Sequence, residues 1–198
     1  ITIPNSVLII GKEAFEKCTK LKNVYLPNAE ETLWTCENIR MEHVVAKGNY
    51  FGMNSKNIAI SDFNLDGNYA FDGASNIEIH NAKMLSKDSF WNCDNVTVYD
   101  STIIGEYLGW NSKNITLINC TIDALQGMCY MENLKLVNCK LLNTNLAFEY
   151  STVDASVNSK IDSVKNPISG KIVAKEIGEI ILDDTLIDSR KTQIIEEN

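Results

Sequence analysis

Two carboxylates, Asp62 and Asp100, and one imidazole, His80, are the side chains whose spacing reads as chemistry. Asp62, Asn81 and Asp100 lie nineteen residues apart, and His80 immediately precedes Asn81. If nineteen residues make one turn of a coil, the two acids stand two turns apart on one line, about 9–10 Å from each other at ordinary strand spacing. That lies at the upper edge of the separation at which paired carboxylates invert a glycosidic bond, one as general acid and the other activating water. The competing reading is stronger: Asp and Asn exchange freely at a corner of the chain, where both tolerate left-handed backbone. Catalysis needs convergent groups in perturbed environments. Here no basic residue stands in register beside the acids, and Asp72, Asp88 and Glu106 fall on other lines.

The interval itself carries the fold. Asn38, Asn57, Asn76, Asn95, Asn114 and Asn133 are nineteen apart without a slip. The next position reads Ile39, Ile58, Ile77, Val96, Ile115, Leu134, and two further on stand Met41, Ile60, Ile79, Val98, Leu117, Leu136, with polar or small residues between. That alternation is a half-buried strand. Five residues after each Asn comes a turn residue, His43, Asp62, Asn81, Asp100, Asn119 or Asn138, and then a second alternating stretch. A third stretch, "NYFGM", "NYAFD", "DSFWN" or "EYLGW", leads back to the next Asn. Three short strands per repeat describe one coil of a single-stranded parallel β-helix, all-β, with right-handed winding expected because parallel crossovers are right-handed in nearly all cases. Like residues then stack on like, and the six asparagines form an amide ladder. A leucine-rich repeat is the rival: Met131, Leu134, Leu136, Cys139 and Leu141 fit its pattern. But the Met131 position is Cys36, Ser55, Ala74, Cys93 and Ser112 elsewhere, and nineteen residues leave no room for a helix.

The third stretch holds two aromatic columns. Trp34, Met53, Asp72, Trp91, Trp110, Cys129 and Phe148 make one, read here as core. Tyr50, Tyr69, Asp88 and Tyr107 belong to the other, which a regular strand would turn to the opposite face, toward solvent. Exposed aromatic rings on a flat rigid surface suit sugar rings or a protein partner; an ordinary amphipathic surface of tyrosines is the plainer alternative.

The period weakens after Phe148, but Val153 and Ala155 return as Ile172 and Ala174, again nineteen on. "KNPISGK" reads as a loop and "EIGEIILDD" as one more strand. The coil is therefore expected over 28–182, with 183–198 as a C-terminal cap or tail.

Bulk properties narrow the partners. An apolar share of 44% is that of a folding chain. A net charge of −8 speaks against nucleic acid and against an anionic membrane surface. No apolar run is long enough to insert in a membrane as a helix. The six cysteines show neither a CxxC pair nor a ligand cadence with the two histidines. They read as small buried residues that stay thiols, Cys120 and Cys139 on adjacent coils, and neither a metal nor another cofactor is called for.

Residues 1–27 follow another rule. "ITIPN" returns as "VYLPN" twenty-three residues later, around "GKEAFEKCTKLKN". This resembles the BspA-like leucine-rich repeat of bacterial surface proteins and implies an N-terminal cap, or the stub of a longer array. Its opening reads like the middle of a chain, so a fragment of a longer repeat protein is expected. The remainder, 28–195, resembles the bacterial family of unknown function DUF3737 through "FGMNSKNI", "DSFWNCDNVTVYDS", "GEYLGWNSKNITLINCTI", "LQGMCY", "LAFEYSTVDA" and "KIDSVKNPISGKI". That resemblance implies a β-helix and supplies no catalytic residues. The leucine-rich resemblance points to the cell surface or secretion, the free cysteines to the cytoplasm. Two classes stay open: a non-catalytic scaffold binding a glycan or a protein, which is favoured, and a carbohydrate-active β-helix enzyme. An acid cluster with a basic partner would mark the enzyme; an aromatic stripe without one would mark the scaffold.

Overall fold

The computed structural model describes residues 14–15 and 17–197. Of the leucine-rich unit expected over 1–27, residues 1–13 and 16 lie outside them. The described residues form a β-solenoid of about nine turns. Its strands are β1 (Leu21–Leu26), β2 (Glu37–Lys47), β3 (Lys56–Asp66), β4 (Ser75–Leu85), β5 (Asp94–Tyr99), β6 (Thr102–Glu106), β7 (Lys113–Ile118), β8 (Thr121–Leu125), β9 (Leu134–Leu142), β10 (Thr152–Lys165), β11 (Ser169–Ile181) and β12 (Thr192–Glu196). Every pairing between them is parallel, and the main path runs β1-β2-β3-β4-β5-β7-β9-β10-β11-β12, with β6 and β8 bridging β4 to β9. The nineteen-residue interval is the register itself: Ile39 pairs with Ile58, Ile58 with Ile77, Ile77 with Val96 and Val96 with Ile115.

Each coil holds two strand arms and one non-strand segment, where three strands were expected. The arms of β2, β3 and β4 join through one left-handed residue, His43, Asp62 or Asn81 (φ 51–54°). That residue turns the corner and resets the alternation, so Ile39, Met41, Val44 and Ala46 all face inward. The third stretch is a run of bends in which every second residue is left-handed: 50, 52 and 54; 69, 71 and 73; 88, 90 and 92; 107, 109 and 111. The reason lies in the hydrogen bonds. Tyr69 N–H and Gly73 N–H reach forward to Lys87 O and Trp91 O, while Phe71 N–H reaches back to Phe51 O. A left-handed residue turns its N–H along the solenoid axis where an extended chain would need another strand's edge.

This segment packs its core by a rule of its own. Two consecutive residues per coil face inward, one large and one small: Phe51 with Gly52, Ala70 with Phe71, Ser89 with Phe90, Leu108 with Gly109. A Cβ on Gly52 would lie 2.6 Å from the Phe71 ring, so the bulky side chain of one coil occupies the space its neighbour leaves empty. Phe71 and Phe90 stack at 5.6 Å, and Phe51 meets Phe71 edge-on at 5.7 Å. The next inward column carries small polar residues that relay bonds between coils: Ser112 Oγ accepts from Cys93 N–H at 2.9 Å and donates to Phe90 O at 2.5 Å. Cysteine serves in the same column, and none of the six cysteines forms a disulfide; five of them are buried. Cys120 and Cys139 face inward on adjacent coils; contact with the Cys139 thiol, together with burial, pushes the Cys120 thiol up.

The asparagine ladder runs from Asn38 to Asn95: Asn57, Asn76 and Asn95 each donate Nδ2 to the Oδ1 of the preceding member at 2.8–2.9 Å. It steps sideways once. Asn114 donates to Asp94 Oδ1 at 2.8 Å, a carboxylate outcompeting the neutral Asn95 amide, and Asn133 then resumes on Asn114 at 3.1 Å. A second ladder climbs the other corner, from Asp100 through Asn119 and Asn138 to Asn158 at 2.9–3.0 Å.

Between β10 and β11 the circumference shrinks. Ala155 pairs with Ile172 and Val157 with Ala174, a step of seventeen, so the expected match of Val153 to Ile172 is off by two. The connection between β10 and β11 is only Asn166–Ile168, too short for the full bend segment. The C-terminal stretch carries a 3-10 turn at Ser189–Lys191 and then β12, which covers the first half of β11. Among the described residues there is no α-helix.

The ladder predicts a graded response at Asn95, where both the amide and the left-handed backbone (φ 60°) matter. Asn95→Ala is expected to cost about 1–3 kcal/mol in urea unfolding, from lost hydrogen bonding and backbone strain. Asn95→Gly, which keeps the backbone relaxed, should cost less. Equal stability of parent and Ala variant would remove the ladder as a source of stability.

Candidate functional site

The bend segment turns the tyrosine column and the tryptophans of the other column to the outside, while Cys129 and Phe148 of that second column are buried as expected. Trp91 and Trp110 are half-buried on the surface, which corrects their expected place in the core; the inward positions are those just before them, Phe90 in one coil and Leu108 with Gly109 in the next. The rule that positions three apart face oppositely holds for a strand, and alternating left-handed residues break it. The tyrosines and the tryptophans therefore meet on one face.

The result is a continuous ribbon of rings across six coils. Tyr50 and Tyr69 stack at 5.0 Å with planes 9° apart. Tyr69 meets Trp91 at 6.1 Å and 89°, Trp91 lies 6.1 Å from Trp110, Trp110 lies 4.6 Å from Tyr130, and Tyr130 lies 5.3 Å from Tyr150. Tyr107 joins edge-on to Trp110 at 5.8 Å. The ribbon is held at both its middle and its end. Trp91 Nε1 donates to Tyr107 O at 2.6 Å, and Tyr150 Oη donates to Asp184 Oδ2 at 2.7 Å. Tyr130 and Tyr150 escaped the sequence reading because their column reads Asn54, Gly73, Asn92 and Asn111 in earlier coils. Only the bend geometry, which sets position 130 beside position 110, shows that they extend the ribbon.

Asp88 interrupts the tyrosine column. Partial burial, and then the Glu106 carboxylate of the next coil, raise its carboxyl above the usual range, although Lys87 and a hydrogen bond from Tyr69 oppose the shift. Asp88 in turn pushes the Tyr69 hydroxyl up. Lys87 Nζ sits 2.9 Å from Glu106 Oε1, leaving Asp88 the less compensated acid of the pair. A surface groove of about 630 Å³ runs beside this group, lined by Asn68, Leu85, Lys87, Ile104, Glu106 and Leu125.

The other candidates sit elsewhere. Asp62 is a rung of the corner ladder, bonded by Asn81 Nδ2 at 2.5 Å and His43 Nδ1 at 2.9 Å. Asp100 accepts from Asn119 Nδ2 at 3.0 Å. His80 stacks flat on Tyr99 at 4.4 Å and meets Glu78 Oε1 at 2.8 Å. Each of the three is engaged with its own neighbours. Among the described residues, no three His, Cys, Asp or Glu side chains are grouped to hold a metal ion.

A family model described as a protein of unknown function, DUF3737, matches residues 1–195. The chain belongs to the DUF3737 family. No curated protein and no solved structure matches it. The DUF3737 match takes in residues 1–27, which the twenty-three-residue repeat sets apart, so one family spans both the opening unit and the solenoid.

The raised carboxyl of Asp88 makes a signed prediction. The folded chain holds this proton in a window above the ordinary carboxylate value, where the unfolded chain has released it. The contribution is fully present below the unfolded value and is lost as pH rises through the folded one. Asp88→Asn keeps an acceptor for Tyr69 and cannot ionise. In thermal melts its stability relative to the parent should therefore improve from acidic toward neutral pH. A difference that does not change with pH would show that Asp88 carries no such linkage.

Proposed function

We propose that this DUF3737 chain is a non-catalytic binding scaffold whose aromatic ribbon takes an elongated, uncharged glycan. One observation carries the reading: rings from six consecutive coils touch one another on the outer face, at centroid spacings of 4.6–6.1 Å along the path from Tyr50 to Tyr150. A solenoid is stiff along its axis, so the platform needs little ordering on binding. Tyr and Trp offer wide amphipathic contact at low entropic cost. The Tyr50–Tyr69 pair is stacked face to face and shows ring edges, whereas Trp91 is turned across it, so the indoles are the platform and the tyrosines its polar border. The net charge of −8 favours a neutral ligand over a polyanion. The resemblance of residues 1–27 to the BspA-like repeat favours a place on a bacterial surface, and the six cysteines favour the cytoplasm.

Asp88 beside Glu106 supports a second reading, as a carbohydrate-active enzyme. Two carboxylates on adjacent coils, one with a raised pKa, form the kind of pair that glycosidases divide between acid and base. Asp62 and Asp100 do not support it, because the corner ladder consumes both.

Affinity electrophoresis of the full chain in gels containing neutral polysaccharides decides between them. Retardation is expected, with roughly a tenfold weakening when Trp91 and Trp110 are both changed to Ala, in protein that still melts cooperatively. Retardation unchanged in that variant would overturn the ribbon as the site. Release of reducing sugar that disappears in Asp88→Asn would establish the enzyme instead.

A further inference from the structure

The outer faces of the two strand arms differ. On the second arm Tyr25, Val45, Leu85, Ile104, Leu125 and Leu142 are each 37–48% exposed. Among the described residues, no large apolar side chain is exposed to that extent on the outer face of the first arm. Register gathers four of the six: Leu85 pairs with Ile104, Ile104 with Asp123 and Asp123 with Leu142, and Leu125 is the next outward residue of β8 after Asp123. Grooves of about 350 and 630 Å³ run along this face and share Leu85. A contiguous apolar stripe in water marks an interaction surface.

The charges set into the stripe say what covers it. From β3 to β9, the outward positions of successive coils carry Asp66, then Lys83, then Ile104, then Asp123, then Lys140. Laid against its own reversal, this order sets every charge opposite one of the other sign, with Ile104 at the centre. Asp66 also meets Lys47 at 3.4 Å, and Lys87 and Glu106 neutralise each other on the same face at 2.9 Å. Neither Lys83 nor Lys140 is in an ion pair with another described residue. Lysines thus offset the acids here, whereas the whole chain carries a net charge of −8, so on this face two copies meet with least repulsion.

We propose that this face is the contact of a two-fold dimer, in which a second copy of the chain packs sheet against sheet with its solenoid axis reversed and the symmetry axis passes at Ile104. The inference does not depend on what the ribbon binds. A two-fold contact must be complementary to itself. Reversal lays the coil of Lys83 and Leu85 over the coil that holds Asp123 and Leu125 of the partner subunit, and the coil of Asp66 over that of Lys140 of the partner subunit. Packed sheets stand about 10 Å apart, a gap that a lysine and a carboxylate side chain span together. Parallel axes would set each coil on itself, bringing like charges together at Lys83 and again at Asp123, which disfavours that arrangement.

Sedimentation equilibrium of the full chain over a concentration series tests the contact, and a dimer is expected. Ile104→Lys places two like charges at the symmetry axis and should give a monomer that still melts cooperatively. Lys83→Asp and Asp123→Lys should each weaken dimerisation about tenfold, and the two changes together should restore it. Within one chain these positions are two coils, about 10 Å, apart, so the rescue can arise only between copies. A parent that stays monomeric would overturn the dimer and leave the face to another protein. A dimer indifferent to Ile104→Lys would place the contact elsewhere and overturn the proposal as well. Single swaps that the double variant fails to rescue would overturn the reversed packing on which it rests.

Discussion

Every coil must bond to the next through backbone N–H groups aimed along the solenoid axis, including where the chain bends. In the strand arms the parallel ladder does this without special provision. At the corners and through the bend segment the aim is kept by left-handed residues at the same places in coil after coil. The requirement costs about 1–2 kcal/mol wherever the residue is not glycine. The chain meets it with asparagine and aspartate at the corners, whose side chains return part of the cost as ladder bonds. In the bend it uses tyrosine and phenylalanine, which return it as ring contacts between coils. The aromatic ribbon and the amide ladders are thus two answers to one backbone problem.

The repeat was legible because a solenoid stacks like on like, so burial imposes the same residue class at the same phase. Ile39 through Leu134 show it without exception. The bend segment was not legible. Its alternation of left-handed residues has no hydropathy signature, and its core is kept constant in summed volume rather than position by position: Phe51 with Gly52 does the work of Ala70 with Phe71. A column-by-column reading sees Phe, Ala, Ser, Leu and finds no pattern. For the same reason the tryptophans looked like core, and Tyr130 and Tyr150 looked like strays. The seventeen-residue step from the first half of β10 to β11 was hidden because Val153, Ala155 and Val157 are equivalent inward residues, so two registers fit the apolar pattern equally well.

The candidate acids divide by how far their environment departs from that of a corner. Asp62 and Asp100 are interchangeable with asparagine because the corner asks only for a left-handed residue with an acceptor, and the bonds from Asn81 and Asn119 satisfy them. Asp88 stands in a column otherwise given to tyrosine, is partly buried, and faces a second carboxylate. A period can reveal that Asp88 breaks the column, but only packing shows that the break carries an electrostatic cost.

A ladder of identical amides has no reason to stop within a uniform solenoid, so its ends mark where another demand took over. The column in which Asn111 donates Nδ2 to Asn92 Oδ1 at 2.8 Å ends because position 130 is given to an aromatic ring that carries the ribbon on toward Tyr150. That exchange leaves the Asn111 amide oxygen at the surface beside the edge of the Tyr130 ring, whose faces meet Trp110 and Tyr150. The asparagine ladder gives up its regular partner too, where Asp94 draws Asn114 away, but there the replacement is a carboxylate and opens no aromatic surface. Each break thus trades an amide bond for another contact between coils, ring on ring in one column and amide on carboxylate in the other.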